Sequence, residues 1–70
     1  MNPRFYTELA DKLSEARTSH MAHLRNVRAW LRAGLSGTSE ADVRYWERTI
    51  AKLYRDIARY RRLARERGEV

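Results

Sequence analysis

Cysteine is absent from this chain of 70 residues, and histidine, proline and glycine are scarce. Without cysteine the chain forms neither disulfides nor thiolate metal sites, and a domain this short usually needs such a link or a second copy to become stable. The two histidines, His20 and His23, are too few for a zinc site, and no glutamate completes a metal cluster at their helical spacing. We therefore expect no metal and no cofactor, and we expect association to supply the missing stability.

Long apolar runs are also absent, since no segment approaches 18 uncharged apolar residues. The first residues, MNPRFYTELADK, carry charges throughout and do not resemble a signal peptide. These absences predict an intracellular protein that does not enter a membrane. The chain has no glycine-rich phosphate loop and no strained turn that would activate a hydroxyl, so we expect no catalytic residues and no small-molecule substrate.

One region rich in helix breakers, AGLSGTS at 33–39, divides the chain into two parts. Gly34 is suited to end a helix, and Ser39, or Thr38 in its place, is suited to begin the next one. Pro3 favours a helix start near the other end. The sequence predicts a single domain, 1–70, with a helix over 4–33, a turn over 34–38 and a helix over 39–67.

The apolar residues of each predicted helix form a stripe. In the first helix their spacing repeats every eleven residues: Phe5, Leu9, Leu13, Ala16, His20, Leu24, Val27 and Leu31. In the second helix the stripe is a heptad: Val43, Trp46, Ile50, Leu53, Ile57, Tyr60 and Ala64. Because the connection is short, the stripes predict an all-α fold, an antiparallel two-helix hairpin.

Counting outward from the turn predicts which residues of the two stripes face each other. The predicted pairs are Val27 with Ile50, Leu24 with Leu53, His20 with Ile57, and Ala16 with Tyr60. In this register His20 would reach the hydroxyl of Tyr60. Trp46 would be buried beside Val27 and Trp30.

Two helices cannot cover every apolar side chain, and the residues that flank the stripes predict an association surface. This surface comprises Tyr6, Met21, Trp30, Tyr54 and Leu63. A second copy of the chain, completing a four-helix bundle, would cover it most simply. A different protein is the alternative occupant.

Net charge is +6, and thirteen of the fifteen basic residues are arginines. Six basic residues follow one face of the second helix over about 27 Å: Arg44, Arg48, Lys52, Arg55, Arg59 and Arg62. Their spacing to acids predicts the ion pairs Glu40–Arg44, Lys52–Asp56 and Arg62–Glu66. The face is suited to phosphates or an acidic protein surface, and a solvated face stays the plain alternative.

The run SEADVRYWERTIAKL, residues 39–53, resembles the second-helix segment of small phage head–tail joining proteins of the gpW-like kind. AWLRAG, residues 29–34, resembles the end of their first helix. That family carries a β-hairpin between its helices, and LSGT leaves no room for one here. The resemblance implies an adaptor in virion assembly, acting through protein contacts.

Together these features predict a small non-enzymatic protein that binds itself and a protein partner. The alternative is a dimeric arginine-rich protein that contacts the phosphates of nucleic acid with little sequence specificity, because the basic face has no Asn or Gln and no interleaved aromatic residue for base recognition.

Overall fold

Two antiparallel helices form the whole of the described fold. The computed structural model describes residues 3–69, with α1 at Phe5–Arg32, α2 at Glu40–Glu66 and a connection over 33–39. Each helix boundary lies within one residue of its predicted position, and the described residues contain no strand. The prediction of an all-α helical hairpin is confirmed for these residues, whereas residues 1, 2 and 70 of the predicted domain lie outside them.

The first helix ends in a glycine cap. Gly34 has a φ of 72°, the left-handed conformation that only glycine adopts without strain. The Gly34 N–H donates to the Leu31 carbonyl at 3.0 Å, and the Leu35 N–H donates to the Trp30 carbonyl at 3.1 Å. These two bonds form a Schellman motif, which satisfies carbonyls that have no partner within the helix.

The second helix begins at the predicted cap. Ser39 is the N-cap residue, with extended φ and ψ of −136° and 167°. Its N–H donates to the Asp42 carboxylate at 2.9 Å, so the acid of the first turn folds back on the residue that starts the helix. Both ends of the connection are therefore closed by hydrogen bonds between residues close in sequence.

The hairpin is a rod of 50 × 14 × 14 Å, with a radius of gyration of 15.8 Å. A compact chain of this length would have a radius of gyration of about 11 Å. Few side chains are therefore enclosed, and those that are buried are small or aliphatic: Ala10, Leu24, Val27, Ile57 and Ala64.

The buried and half-buried residues of α1 include a full heptad, and the predicted eleven-residue stripe departs from the structure at Phe5. Phe5 is 48% exposed, whereas Ala10, which the prediction omitted, is buried. The interface positions, all buried or half-buried, are Tyr6, Ala10, Leu13, Arg17, His20, Leu24, Val27 and Leu31. An eleven-residue repeat would drift away from the heptad of α2, so two long helices stay in contact only when both follow one period.

The predicted register is also wrong. The Tyr60 ring stacks on that of Tyr6, with the centroids 5.9 Å apart, and Tyr6 lies ten residues before the predicted partner Ala16. The His20 ring instead contacts Trp46 at 5.1 Å. The two caps end α1 and begin α2 at similar heights, so the helices leave the turn level with each other. The predicted residue pairs require α2 to be shifted along α1 relative to this level arrangement.

The open end of the hairpin is closed by a carboxylate from the far end of the chain. Gly68, with a φ of 70°, turns the chain after α2. Glu69 then accepts the backbone N–H groups of Tyr6 and Thr7 at 3.2 and 2.8 Å. Burial alone would raise the pKa of Glu69, but the hydrogen bonds from Thr7 and Tyr6 and the charge of Arg67 outweigh it and lower this pKa. The ionised carboxylate is thus the form that caps α1.

The pH dependence of stability is expected to reveal this cap. Because folding lowers the pKa of Glu69, its contribution is complete above the pKa of the unfolded chain and is lost as the pH falls through the lowered value. We expect Glu69→Gln to lower the melting temperature at neutral pH. In acid, the melting temperatures of wild type and variant should become equal. Thermal unfolding followed by circular dichroism measures both.

Glu66→Gln is the matched control, because Glu66 is exposed and only reaches Arg62 at 4.0 Å. It should change the melting temperature much less than Glu69→Gln. A Glu69→Gln variant that melts like the wild type at every pH would show that the cap contributes nothing.

Candidate partner-binding surfaces

The predicted basic face, here called the arginine stripe, lies on the side of α2 that points away from α1. The stripe consists of Arg44, Arg48, Lys52, Arg55, Arg59 and Arg62, and all six side chains are exposed. The buried residue Ile57 marks the opposite side of the helix. The stripe therefore offers its charges to a partner without disturbing the interface.

Acids neutralise the stripe only at its two ends. Arg44 lies 3.9 Å from Glu40, and Arg62 lies 4.0 Å from Glu66, so these two predicted pairs form. Exposed pairs of this kind contribute only about 0.3–0.5 kcal/mol each.

The middle of the stripe keeps its positive charge. The predicted pair of Lys52 with Asp56 is wrong, because their charged atoms are not within 4.0 Å. Within residues 3–69, no carboxylate lies within that distance of Arg48, Arg55 or Arg59 either. The Arg59 guanidinium lies instead over the ring of Tyr60, 5.2 Å from its centroid.

The predicted association residues do not form one surface. Met21 and Tyr54 are brought together on one side of the hairpin, with exposures of 50% and 62%. Leu63 follows Tyr54 by nine residues, which at about 100° per residue places it on the other side of α2. Tyr6 stacks on Tyr60 at the open end and is half-buried.

Trp30, the remaining association residue, belongs to a cluster of rings near the turn. This aromatic cluster comprises His20, His23, Trp30, Tyr45 and Trp46. Trp46 is its centre and touches both histidines, with the His23 ring 4.6 Å away. The described ring contacts of Trp46 are with His20, His23 and Tyr45 and not with Trp30, and Trp46 is half-buried rather than enclosed.

Met21 and Tyr54 form the two walls of an open groove between the helices. This apolar groove has a volume of about 520 Å³, and its apolar lining is Met21, Leu24, Ile50, Ala51 and Tyr54. Of the groove residues, the predicted association surface contained only Met21 and Tyr54. Leu24 and Ile50 were predicted to lie in the interface between the helices. They also form the floor of the groove, because the interface of two helices is open along both sides.

Among residues 3–69, no three histidine or acidic side chains approach closely enough to share a metal ion. Neither helix in that range is long and apolar enough to cross a bilayer. In comparisons with known proteins, no family, no curated protein and no solved structure matches the chain.

Proposed function

We propose that this chain is a small non-enzymatic protein that works through protein–protein contacts, both with a second copy and with a protein partner. The exposure of large apolar side chains carries the proposal, because among residues 3–69 only five apolar residues are buried while six large ones are between 41% and 62% exposed. The six are Phe5, Met21, Trp30, Leu35, Tyr45 and Tyr54.

Exposure on this scale favours association. Contiguous apolar patches on a small protein mark surfaces that other molecules cover. A chain of 70 residues also buries little of its own surface, so a second copy would add the stability that a lone hairpin lacks. Two hairpins side by side would form a four-helix bundle.

The aromatic cluster is the side that we assign to the second copy. Trp30 and Tyr45 are its most exposed rings, at 41% and 56%. Large aromatic side chains contribute strongly to such interfaces.

Within this class, the specific form that we propose is an assembly adaptor of the phage head–tail joining kind, acting inside the cell or in the virion. The resemblance of residues 29–34 and 39–53 to that family supports it. The described residues contain no β-hairpin between the helices, which is where the chain departs from the family.

Self-association is the direct test of the proposal. Light scattering at high micromolar concentration is expected to give at least twice the monomer mass of 8.3 kDa. Trp30→Glu should shift the protein towards monomer, because it places a charge in the aromatic cluster. Met21→Glu, an equal change at a residue of similar exposure outside the cluster, is the matched control and should leave the mass unchanged. A helical, heat-stable wild-type monomer at that concentration would contradict the proposal.

Nucleic-acid binding is the second candidate function, and the middle of the arginine stripe favours it. Arg48, Lys52, Arg55 and Arg59 are exposed and lack a carboxylate within 4.0 Å among residues 3–69. Arginine binds phosphate oxygens through two parallel hydrogen bonds. Contacts of this type carry no sequence information, so binding would be to the backbone.

A further inference from the structure

The apolar groove continues along one side of the hairpin beyond its central section. Next to it lies a depression of about 330 Å³, which shares Tyr54 and adds Ile57 and Ala58. Another of about 310 Å³ shares Met21 and Leu24 on the α1 side. From Glu47 to Arg61 the groove measures about 21 Å, which is the length of about four helical turns.

The rim of the groove is strongly basic. Six arginines line these three depressions, namely Arg17, Arg25, Arg28, Arg32, Arg55 and Arg61. Arg55 also belongs to the arginine stripe, and its long side chain reaches the edge of the groove. Glu47 is the one acid among the same lining residues, and Arg28 already binds it at 2.9 Å. The groove therefore joins an apolar floor to a rim with a large excess of positive charge.

Arg17 is held in place at this rim. Its guanidinium lies over the Tyr54 ring, 5.2 Å from the centroid, which is a favourable cation–π arrangement. Its Nε is buried and has no hydrogen-bond partner among residues 3–69. The burial of this nitrogen and the contact with Tyr54 hold the guanidinium at the edge of the groove.

We infer that the apolar groove binds an acidic amphipathic helix of a protein partner. Apolar residues on one face of that helix would pack between Met21 and Tyr54, and carboxylates flanking that face would pair with the arginines of the rim. Helices with regularly spaced apolar anchors dock in open grooves in this way. The inference rests on the proposed function and specifies the chemistry of its protein partner.

A second copy of the chain fits the groove poorly. Two copies meeting groove to groove would bring their arginine rims together, and like charges in contact oppose association. A second copy could instead present the acidic face of its α1, which carries Glu8, Asp11 and Glu15 and is followed along the helix by Thr18 and Ala22. This face offers no large apolar residue to fill the groove.

Three synthetic helical peptides test the inference. They share one face of leucines and about four turns of length, and they carry glutamate, glutamine or lysine beside that face. Fluorescence anisotropy with the full chain is expected to show that the glutamate peptide binds. The glutamine peptide should bind at least about tenfold more weakly, and the lysine peptide should not bind. No binding of the glutamate peptide, or equal binding of all three, would overturn the inference.

Matched variants locate the peptide. Tyr54→Ala should weaken binding about tenfold, whereas Tyr45→Ala, at a tyrosine of similar exposure outside the groove, should not. Reversing two rim charges, Arg25→Glu with Arg61→Glu, should weaken it by a similar factor. The same charge change on the stripe, at positions 48 and 59, should have much less effect. Equal effects of the two double variants would overturn the inference, since attraction would then follow net charge alone.

The mass measurement separates this inference from the proposed function. A wild-type dimer that ignores all three peptides would overturn the inference and leave self-association standing. A dimer that dissociates on Tyr54→Ala would show that the groove holds a second copy, which also overturns it. A monomer that binds only the glutamate peptide would support the inference and remove self-association from the proposed function.

Discussion

Trp46→Ala is expected to destabilise the hairpin by about 2–3 kcal/mol. A fully buried tryptophan costs about 3–5 kcal/mol on truncation, but Trp46 is half-buried, so the loss should be smaller. What is lost is the ring at the centre of the aromatic cluster, which packs on His20 and His23. A domain of this length is stable by only about 4–10 kcal/mol. Urea unfolding at a fixed protein concentration would measure the change.

Tyr45→Ala is the matched control, because this ring lies 5.3 Å from Trp46 on the same helix but is 56% exposed. Because Tyr45 also belongs to the surface assigned to the second copy, the two variants are compared at a protein concentration at which the chain is monomeric. There, Tyr45→Ala should cost less than about 1 kcal/mol. A Trp30→Phe variant retains Trp46 as the only tryptophan, and its emission should lie between those of buried and of fully hydrated tryptophan. Equal costs for Trp46→Ala and Tyr45→Ala, or emission like that of tryptophan in water, would show that the ring does not pack on α1.

Affinity for duplex DNA is expected to fall about 150-fold between about 50 and 200 mM salt if the arginine stripe holds phosphates. Four residues of the stripe have no acid within 4.0 Å, and each phosphate contact contributes about −0.9 to the slope of log affinity against log salt. The expected slope is therefore about −3.6. A filter-binding or anisotropy titration of generic DNA at several salt concentrations measures it.

Charge reversal on the stripe should remove this binding. In Arg48→Glu with Arg59→Glu, each new carboxylate lies four residues from a remaining cation, Lys52 or Arg55, so helicity should be kept. The rim variant Arg25→Glu with Arg61→Glu changes net charge equally and is the control. It should retain most of the affinity.

Wild-type protein that does not bind DNA or RNA even at low salt would eliminate the second candidate function. The stripe variant would then be compared with wild type for binding to an acidic protein. Loss of that binding would assign the stripe to a protein partner. Unchanged binding would indicate that the stripe is a solvated face and that the apolar surfaces do the binding.

The sequence by itself determined the two helices and their ends. Gly34 and Ser39 predict the limits of the connection correctly, because each cap is made by hydrogen bonds to residues within a few positions. The exposure of the arginine stripe was likewise predictable. Once the apolar heptad of α2 faces its partner, the residues opposite it must face solvent.

Only the tertiary structure decided how α1 faces α2. Both Phe5 and Tyr6 are apolar enough to serve the interface, and the period of the other helix selected Tyr6. The spacing of apolar residues in α1 alone does not decide between Phe5 and Tyr6, because the choice depends on how both helices pack together.

Glu69 and the apolar groove were invisible to sequence patterns for a related reason. Glu69 caps Thr7 across 62 positions, and Met21 meets Tyr54 only when the register is right. The one local signal was Gly68, a residue suited to end α2 and turn the chain. Caps and periodicity depend on neighbours in the chain, whereas a groove and a closing contact depend on where two helices meet in space.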